Sequence, residues 1–525
     1  MSRKKIAIPS FLQTEYEIDD AGYARRFIDD HSYGMHKDDL NNRVFLRYCP
    51  TIGWIKYDID GIKWEIAKNK EESKIMAYEY VRQSMDAFRD KVKKDIEEAG
   101  LQADTDPAAA QRLDFLDSLK LPAKNNSKIK NILEQAAGHH EVIVQPDELD
   151  KIDENNPLTY ETINTPCGLI NLRTGEVLPH DPSLYLTKCT AVNPSKEYHF
   201  DSDGHCKFLD IINSIFPDKA ERDWVQKHAG YSLLGIKTQQ IFVVFWGLGG
   251  NGKTTFLNLI SDSLGSDYVK HIDVSSVLSN KWDDGGKSAT PGIASLKGAR
   301  IGMLSESSET DFFDAAQIKS ATGNKEITAR FIHGNPITFR ATHELIFDTN
   351  HIPRLRRTDE GFCRRFVIVP FTQVFSAHDK NETLEVDLGK REVLEDCLKW
   401  QIDGAISYFK EGLPIGKSFE LLPPLMINAL EKYYGDNDYL RNFLLDCCYF
   451  DSEDKPSLKV GIKPVYDAFL DWYKENYGNL PPAQKTFQKL LLERTFTDST
   501  TGKKFKIKKS SRTSNGYFYI GIGLR

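Results

Sequence analysis

Residues 241–255 read IFVVFWGLGGNGKTT, and this stretch decides the fold. The run 241–244 is β-branched and aromatic, which predicts a buried strand, and the apolar run 256–260 predicts the start of a helix. Strand, glycine-rich loop and helix in this order match the Walker A pattern, in which backbone N–H groups surround a phosphate chain at a helix N-terminus. The sequence therefore predicts an α/β core that binds a nucleotide.

The loop and the first helical turn supply the predicted ligands. Lys253 is expected to reach the β- and γ-phosphates of ATP, and the Thr254 hydroxyl is expected to hold Mg²⁺. The predicted ATP-binding residues are Gly247, Leu248, Gly249, Gly250, Asn251, Gly252, Lys253, Thr254 and Thr255. This motif alone predicts nucleotide binding and no particular reaction.

Two later strands are predicted to end in polar residues at the same site. Residues 300–306 form an apolar run that ends in Glu306, a predicted metal-site carboxylate that would polarise the attacking water beside Mg²⁺. Glu309 is a second candidate for this role. Residues 346–350 form another run, and its terminal Asn350 is expected to hydrogen-bond the γ-phosphate or the lytic water.

Arginines follow these strands in two clusters. The first lies at residues 354–357 and the second is the pair Arg364 and Arg365, directly before the apolar run 366–369. Either cluster is a candidate arginine finger that meets the ATP of a second subunit. A solvated basic face is the alternative for the first cluster, whereas charges beside an apolar strand call for an anionic partner.

Between the second and third strands, residues 317–340 predict a short helix and a hairpin closed at Gly334-Asn335-Pro336. The hairpin would face a nucleic-acid backbone if it points into a ring channel, and a surface hairpin is the alternative. Its predicted DNA-binding residues are Lys325, Arg330 and His333, with Arg340 beside them.

The chain has 525 residues, so about three domains are expected. Its net charge is −7, which confines any nucleic-acid surface to a local patch. The eight cysteines show no C-x-x-C pair, and no signal core or membrane-length apolar run is present. We expect a protein of the host cytoplasm that has no membrane partner.

The two ends of the chain carry weaker signals. Near the start, residues 44–64 predict a hairpin with its turn at Asp60-Gly61; Asp58 and Asp60 could be the metal pair of a primase, but turn chemistry explains them better. Near the end, helices lead to a segment without Asp or Glu, residues 501–525. This pattern is typical of a winged helix, with a lysine-rich edge strand as the alternative. The predicted DNA-binding lysines there are Lys504, Lys506, Lys508 and Lys509.

The order of these motifs resembles a known family. GLGGNGKTT, then RIGMLSE, then KSATGNKEITARFIHGNPITFR, then NHIPR and RRF is similar to superfamily 3 helicases of the phage and plasmid primase–helicase type, which are related to the poxvirus primase–helicase. Residues 164–182 are similar to the helicase-associated domain of that family. Two positions depart from the family pattern: Ser305 stands where an Mg²⁺-coordinating Asp is common, and Cys363 where Trp is common.

The resemblance implies an AAA+-like core, homo-hexameric rings, ATP hydrolysis at subunit interfaces and movement on single-stranded and forked DNA. It implies that Lys253 and Glu306 act in hydrolysis, that Asn350 is the sensor, that Arg365 is the preferred finger with Arg364 beside it, and that the hairpin around His333 moves DNA. It also implies a separate primase or polymerase partner.

We therefore expect a mixed α+β helicase-associated domain at 1–200, the ATPase core at 201–378, a helical connector at 379–420 and a winged-helix domain at 421–525. The expected function is an ATP-dependent helicase in phage, plasmid or mobile-element replication. A primase–helicase that makes primers, and an ATP-switched initiator that marks origin DNA without processive unwinding, stay open as alternatives. A small-metabolite kinase would not explain the hairpin or the basic end.

Overall fold

The computed structural model describes most of the chain. The described residues are 19–32, 45–57, 62–98, 107, 110, 126–278, 291–305, 307–308, 311–323, 326–330, 336–355, 360–375, 387–415, 419–450, 458–477, 481–493, 495–497, 504–512 and 517–525. The chain forms two compact units, residues 1–423 and 424–525. Within the described residues, none of the helices combines the length and the apolar character needed to cross a bilayer.

The first unit begins with a small antiparallel sheet covered by helices. Its elements are α1 (Asp20–Ser32), β1 (Phe45–Cys49), β2 (Gly53–Tyr57), β3 (Trp64–Glu65), α2 (Lys70–Glu98) and α3 (Asn126–Ala137). The strand order is β1-β2-β3, and both pairings are antiparallel. The helices bury one apolar face in a common core that includes Phe27, Val81 and Ile132, each at most 1% exposed.

This region corrects one prediction. The sequence predicts a hairpin with its turn at residues 60–61, and β2 and β3 do pair antiparallel on either side of that segment, but the structure adds an earlier reversal between β1 and β2. Pro50 follows β1 and has no amide proton to donate to a ladder, and Gly53 adopts a φ of +109°, which favours glycine. Asp58 and Asp60, the candidate primase pair, lie outside the described residues.

A second antiparallel sheet and two helices lead to the central part of the unit. They are β4 (Thr162–Thr165), β5 (Gly168–Asn171), β6 (Val177–Leu178), α4 (Lys207–Ile215) and α5 (Lys219–Ser232). The strands are ordered β4-β5-β6. Pro217 separates the two helices because proline does not continue a helix.

The central part is a parallel sheet with helices between its strands. Its elements are β7 (Phe242–Trp246), α6 (Lys253–Tyr268), β8 (Val269–Ile272), α7 (Pro291–Ala294), β9 (Ile301–Ser305), α8 (Ala315–Gly323), β10 (Glu326–Arg330), β11 (Pro336–Arg340), β12 (Glu344–Thr349), α9 (Glu360–Cys363), β13 (Phe366–Pro370) and α10 (Arg391–Glu411). The five strands are ordered β13-β7-β12-β9-β8, and all neighbours are parallel. The predicted α/β class is confirmed, and the sheet proves to be parallel.

The strands of this sheet are buried because helices cover its faces. All five residues of β13 are buried, and Phe242, Val243 and Val244 of β7 are 0% exposed. Helices α5 and α10 pack together beside the sheet, where the Trp224 indole donates to the Pro414 carbonyl at 3.0 Å and the Gln226 amide donates to the Trp400 carbonyl at 3.1 Å. Strands β10 and β11 form the predicted antiparallel hairpin between β9 and β12.

The second unit combines helices with short antiparallel strands. Its elements are α11 (Pro424–Asn437), α12 (Tyr439–Cys447), β14 (Cys448–Phe450), β15 (Lys459–Gly461), α13 (Ile462–Tyr477), α14 (Gln484–Glu493), β16 (Phe496–Thr497), β17 (Lys504–Phe505), β18 (Lys508–Lys509), β19 (Phe518–Ile520) and β20 (Ile522–Leu524). The sheets are β14-β20, β15-β19-β18 and β16-β17. Its core is aromatic, with the rings of Phe469 and Phe487 4.4 Å apart.

The base of β12 carries a buried histidine that predicts a dependence of stability on pH. His343 is 4% exposed, and neither ring nitrogen has a hydrogen-bond partner among the described residues. Burial, with the nearby Lys237 charge, lowers the pKa of His343 to about 3. The unfolded chain binds a proton at this residue below about pH 6.5, so acidification from there favours unfolding.

When the pH is lowered from about 8 to about 5, we expect the melting temperature of His343→Leu to fall less than that of the wild type. The measurement is the melting temperature of both proteins across this range. His140→Leu is the control because His140 is exposed, and it should follow the wild type. A difference in melting temperature between His343→Leu and the wild type that stays the same at every pH would contradict the prediction.

Candidate functional site

The glycine-rich loop lies at the carboxyl edge of the parallel sheet. It connects β7, which ends at Trp246, to α6, which begins at Lys253. Ligands of open α/β sheets bind outside the carboxyl ends of the strands. The first N–H groups of a helix have no partner within the helix and carry a partial positive charge. The position of the loop therefore suits an anion.

Two glycines of the loop are required by its geometry. Gly252 caps α6 with a φ of +80°, and a Cβ there would lie 2.7 Å from Cγ1 of Ile215. A Cβ on Gly247 would lie 1.9 Å from the side-chain nitrogen Nδ2 of Asn251 and 3.0 Å from the Phe371 carbonyl oxygen. A side chain at either position would collide with these atoms, so this conformation of the loop requires glycine at both.

Lys253 is held in a buried position by the end of the neighbouring strand. Lys253 is 5% exposed. Its Nζ lies 2.6 Å from Oδ1 of Asp348 and donates a hydrogen bond to Oδ1 of Asn350 at 3.0 Å. Asp348 belongs to β12, which pairs directly with β7, and Asn350 follows that strand. The parallel sheet thus brings together residues almost one hundred positions apart in sequence.

The turn after β12 is fixed by hydrogen bonds. The Ser307 and Thr349 hydroxyls lie 2.7 Å apart, and both donate to the His351 carbonyl, at 2.6 and 2.8 Å. The Trp246 indole donates to the Asn350 carbonyl at 3.1 Å. These contacts determine where the Asn350 side chain points, so its contact with Lys253 is preorganised.

These elements enclose a cavity of about 600 Å³. It is lined by Gly249, Gly250, Asn251, Gly252, Lys253, Thr254, Thr255, Ser307, Asp348, Thr349, Asn350 and His351. Thr254 is exposed at the mouth of the cavity, and Leu248 is 79% exposed. A buried ammonium, a carboxylate, hydroxyls and helix N–H groups together can bind a polyanion and a divalent cation.

Asp348 was missed by the sequence reasoning. On β12 it is aligned with Ser305 of the neighbouring strand β9, the position at which the sequence analysis noted the absence of an Mg²⁺-coordinating Asp. The signal in the sequence was an acidic residue directly after the apolar run 345–347, two positions before Asn350. Glu306 and Glu309, the predicted metal-site and alternative carboxylates, lie outside the described residues.

The predicted arginine pair, Arg364 and Arg365, lies at the amino ends of the strands, opposite the loop. Arg365 precedes β13, and its carbonyl accepts from the Phe242 N–H at the start of β7, at 2.7 Å. Its guanidinium donates to Oε1 of Gln240 at 2.6 Å and to the Gly361 carbonyl at 2.7 Å. Arg364 is exposed. The strand length of five residues separates this edge from the loop by about 16 Å.

The predicted DNA-binding residues are only partly covered by the structure. Lys325 and His333 lie outside the described residues, and Arg330 is exposed at the end of β10. Arg340 at the base of the hairpin instead pairs with Glu154, with Nη1 to Oε1 at 2.8 Å, because the hairpin base lies against the preceding domain segment. In the second unit, Lys504 begins β17. Of the other predicted lysines, Lys506, Lys508 and Lys509 are exposed, and Nζ of Lys509 lies 4.4 Å from the centre of the Tyr517 ring.

Comparison with known proteins covers both parts of the first unit. Residues 24–217 match the family described as D5 N terminal like, and residues 245–365 match a family of unknown function. A protein of Acanthamoeba polyphaga mimivirus whose name contains the word helicase is 27% identical over 69% of this chain and 37% of its own length. A protein of African swine fever virus whose name contains the word primase is 21% identical over 51% of this chain and 28% of its own length.

The chain thus spans less than two fifths of the length of these relatives. A solved structure titled as the C terminal region of NrS-1 aligns with a TM-score of 0.36 and 13% identity, over 63% of this chain and 78% of the other. This score is too low to establish a shared fold. The D5 N terminal like match, the second family match over the sheet and the relatives from large DNA viruses together support a phage or viral primase–helicase family for this chain.

Proposed function

We propose that this chain is an ATP-dependent DNA helicase that assembles as a homo-hexamer and moves on single-stranded DNA. The observation that carries the proposal is the contact of buried Lys253 with Asp348 and Asn350 in front of the glycine-rich loop. The names of the viral relatives, which contain the words helicase and primase, support the choice of nucleic acid as the substrate.

The residues of the cavity fit ATP and Mg²⁺. The loop glycines leave room for a phosphate chain, the buried Lys253 ammonium would pair with phosphate oxygens, and the Thr254 hydroxyl is exposed at the cavity mouth. We propose that Thr254 and Asp348 hold the metal together with Glu306. Mg²⁺ bound to the phosphates neutralises their charge during phosphoryl transfer.

The chain's own residues would do the rest of the work. Lys253 orients the terminal phosphates, and the Asn350 amide, fixed by the hydrogen bonds of its turn, is placed to hold the lytic water or a phosphate oxygen. Glu306 is the proposed base that polarises the water. Before ATP enters, Asp348 neutralises Lys253; when ATP binds, phosphate oxygens would take over that pairing and release the carboxylate toward the metal.

This exchange predicts opposite effects of Asp348→Asn on binding and turnover. We expect the variant to bind ATP more tightly without Mg²⁺, because a carboxylate that repels phosphate is gone. We expect its kcat with Mg²⁺ to fall about 100-fold, as for the loss of a group that assists proton transfer or metal binding. Calorimetric titration with and without Mg²⁺, alongside steady-state hydrolysis, measures both effects.

Asp311→Asn is the matched control for that experiment. Asp311 lies near the same sheet edge, accepts from the Ser308 N–H at 2.8 Å and does not line the cavity. It should leave Mg²⁺-free binding and turnover close to the wild type. An unchanged kcat in Asp348→Asn would remove Asp348 from the proposed metal site.

We propose that the active site is completed by an arginine of the neighbouring subunit. The arginine pair lies at the sheet edge away from the loop of its own chain, beyond the reach of one side chain. Of the two, Arg365 already makes hydrogen bonds within the chain, whereas Arg364 is exposed. We therefore propose Arg364 as the finger and Arg365 as the residue that positions it, the reverse of the order expected from the sequence.

The test is ATP hydrolysis with and without single-stranded DNA, for the wild type and for mixtures of two inactive variants. Lys253→Ala retains the finger, and Arg364→Ala retains the loop. If the site is shared, each variant alone is inactive, mixing restores part of the rate, and DNA stimulates the wild type. If single-stranded DNA does not change the rate of ATP hydrolysis and mixing the variants restores no activity, the helicase proposal fails. An ATP-switched initiator then explains the chain better.

Two basic elements are the proposed DNA contacts of this helicase. In the first unit, the β10–β11 hairpin alternates buried Ile327 and Ala329 with exposed Thr328 and Arg330, so its polar face is available to a strand. In the second unit, we propose a winged helix for residues 421–525, in which the lysines of β17 and β18 contact phosphates. The division into 1–200, 201–378 and 379–420 is likewise our proposal for the first unit.

A further inference from the structure

The N-terminal region contains a cleft that the proposed ATPase does not use. It lies among the turn between β1 and β2, the start of α2 and the surface of α3, and its volume is about 330 Å³. This volume is at the lower end of roughly 300–1,000 Å³ for ligand pockets. The cleft is lined by Tyr48, Pro50, Gly53, Trp54, Lys70, Ser73, Lys74, Tyr78, Lys130, Leu133, Glu134 and Ala137.

The inner wall of the cleft is aromatic and rigid. The rings of Tyr48 and Trp54 lie 5.4 Å apart, and Trp54 packs edge-on against Phe27 of the core at 5.6 Å. Trp54 is 5% exposed, whereas Tyr48 and Tyr78 are partly exposed and offer ring surface to the cleft. An apolar ligand that enters would not have to order these side chains, which lowers the entropic cost of binding.

The backbone at the cleft floor is also fixed. The Ser73 hydroxyl donates to the Trp54 carbonyl at 2.9 Å and joins the start of α2 to β2. A Cβ on Gly53 would lie 2.4 Å from this hydroxyl oxygen, so only glycine permits the close approach. The aromatic wall and the helix that carries Tyr78 therefore form one preformed surface.

The rim of the cleft is positively charged in a protein with a net charge of −7. Lys70, Lys74 and Lys130 are exposed, and Glu134 is the acidic residue among the lining side chains. Lys74 lies 3.9 Å from Glu71, and Lys130 lies 3.5 Å from Glu134. Such exposed pairs are worth only about 0–1 kcal/mol, so phosphate groups can compete for both ammonium groups.

Aromatic rings beside lysines are the combination that binds single-stranded nucleic acid. Bases stack on the rings irrespective of sequence, and the lysines contact the backbone phosphates. Nζ of Lys74 lies 5.5 Å from the centre of the Tyr78 ring, so a base on this tyrosine would place its phosphate near the ammonium.

We propose that this cleft binds an unpaired nucleotide of single-stranded DNA, with its base on Tyr48 and Tyr78 and its phosphates on Lys70, Lys74 and Lys130. The site goes beyond the ATPase and rests on the proposed function only for the choice of DNA over RNA. It gives the N-terminal region a task of its own, which is to hold one strand independently of the nucleotide state.

The first test is photocrosslinking of the full chain to oligo(dT) that carries a single iododeoxyuridine, with the modified peptides identified by mass spectrometry. We expect adducts on Tyr48, Trp54 or Tyr78, formed without ATP and retained in Lys253→Ala. Crosslinks confined to the β10–β11 hairpin or to residues 504–512 would overturn the proposal. An equal crosslink yield from oligo(rU) would show that the cleft does not select DNA, and it would overturn the choice of DNA over RNA.

The second test uses two lysines that are exposed and whose ion pairs lie on the surface. Lys74→Ala combined with Lys130→Ala should reduce the yield of the N-terminal crosslink at least about five-fold. It should also lower the slope of the logarithm of the DNA-binding constant against the logarithm of the salt concentration by about 1.4, which is about 0.7 for each lost phosphate contact with a single strand. Lys94→Ala is the matched control, because Lys94 lies on α2, as Lys74 does, and its Nζ also pairs with a glutamate, Glu98, at 3.5 Å.

Tyr78→Leu, which keeps an apolar side chain on α2, should reduce the same crosslink about five-fold or more through the lost stacking. Equal behaviour of the cleft variants and Lys94→Ala would overturn the proposal even if the chain binds DNA elsewhere. The outcome is independent of the ATPase result: a chain that hydrolyses ATP without DNA stimulation can still form the crosslink, and a working helicase can lack it.

Discussion

Lys253→Ala is expected to reduce ATP hydrolysis about 1,000-fold, the upper range for loss of one preorganised electrostatic contact in an active site. Lys253 is the buried ammonium of the cavity in front of the loop, and the exposed mouth residues cannot replace its charge. Arginine would not substitute well, because the narrow position between Asp348 and Asn350 matches a compact ammonium group. Steady-state hydrolysis with saturating Mg²⁺ and single-stranded DNA measures the loss.

The same substitution leaves the Asp348 carboxylate without its ion-pair partner, so stability and catalysis have to be separated. Removing one partner of a buried pair is destabilising, whereas replacing both can be neutral. We expect Lys253→Met combined with Asp348→Asn to melt near the wild type and to stay inactive. Lys219→Ala is the control on an exposed surface, since that side chain is 78% exposed. Recovery of hydrolysis in the double variant would refute the role proposed for Lys253.

Gly404→Ala is expected to destabilise the first unit by about 3 kcal/mol, although alanine is the better helix former. Helices α5 and α10 approach so closely that a Cβ on Gly404 would lie 2.1 Å from the Gln226 carbonyl oxygen, and one on Gly230 would lie 2.0 Å from the Ala405 nitrogen. Both obstacles are backbone atoms and cannot rotate away, so the helices would have to separate. Chemical denaturation measures the loss.

The separation would also reach the candidate site. Gln401 of α10 donates to the Ser263 hydroxyl of α6 at 2.9 Å, and α6 carries Lys253 at its first position. Gly435→Ala is the matched control, because no atom lies within 4 Å of its Cβ position and the substitution should stabilise α11 by about 0.5–1 kcal/mol. Equal stability of Gly404→Ala and the wild type would show that the two helices can move apart at little cost.

Local sequence was enough to predict the strand, the glycine-rich loop and the helix that follows it, but not the order or direction of the strands in the sheet. The strand before Gly247, the glycines and the helix from Lys253 are contiguous, so their hydrophobic pattern and backbone requirements can be read without long-range information. The β10–β11 hairpin was predictable for the same reason, because its two antiparallel strands are separated by only five residues in sequence.

Local sequence did not predict contacts between distant residues. Asp348 is an ordinary acidic residue in the sequence, and only the β7–β12 pairing places it against Lys253. The family resemblance favours Arg365 as the finger, but only the tertiary structure shows that its guanidinium donates to Gln240 and Gly361. Arg340, expected to face DNA, pairs with Glu154 from a segment far earlier in the chain.

The sequence by itself determined the class of fold, the loop and the order of the motifs along the chain, because each depends on the preferences of neighbouring residues. Tertiary structure decided which carboxylate meets the lysine, which arginine is exposed and which aromatic and basic side chains share the N-terminal cleft. Those outcomes depend on strand order and helix packing, in which residues many positions apart become neighbours as the chain buries its apolar surface.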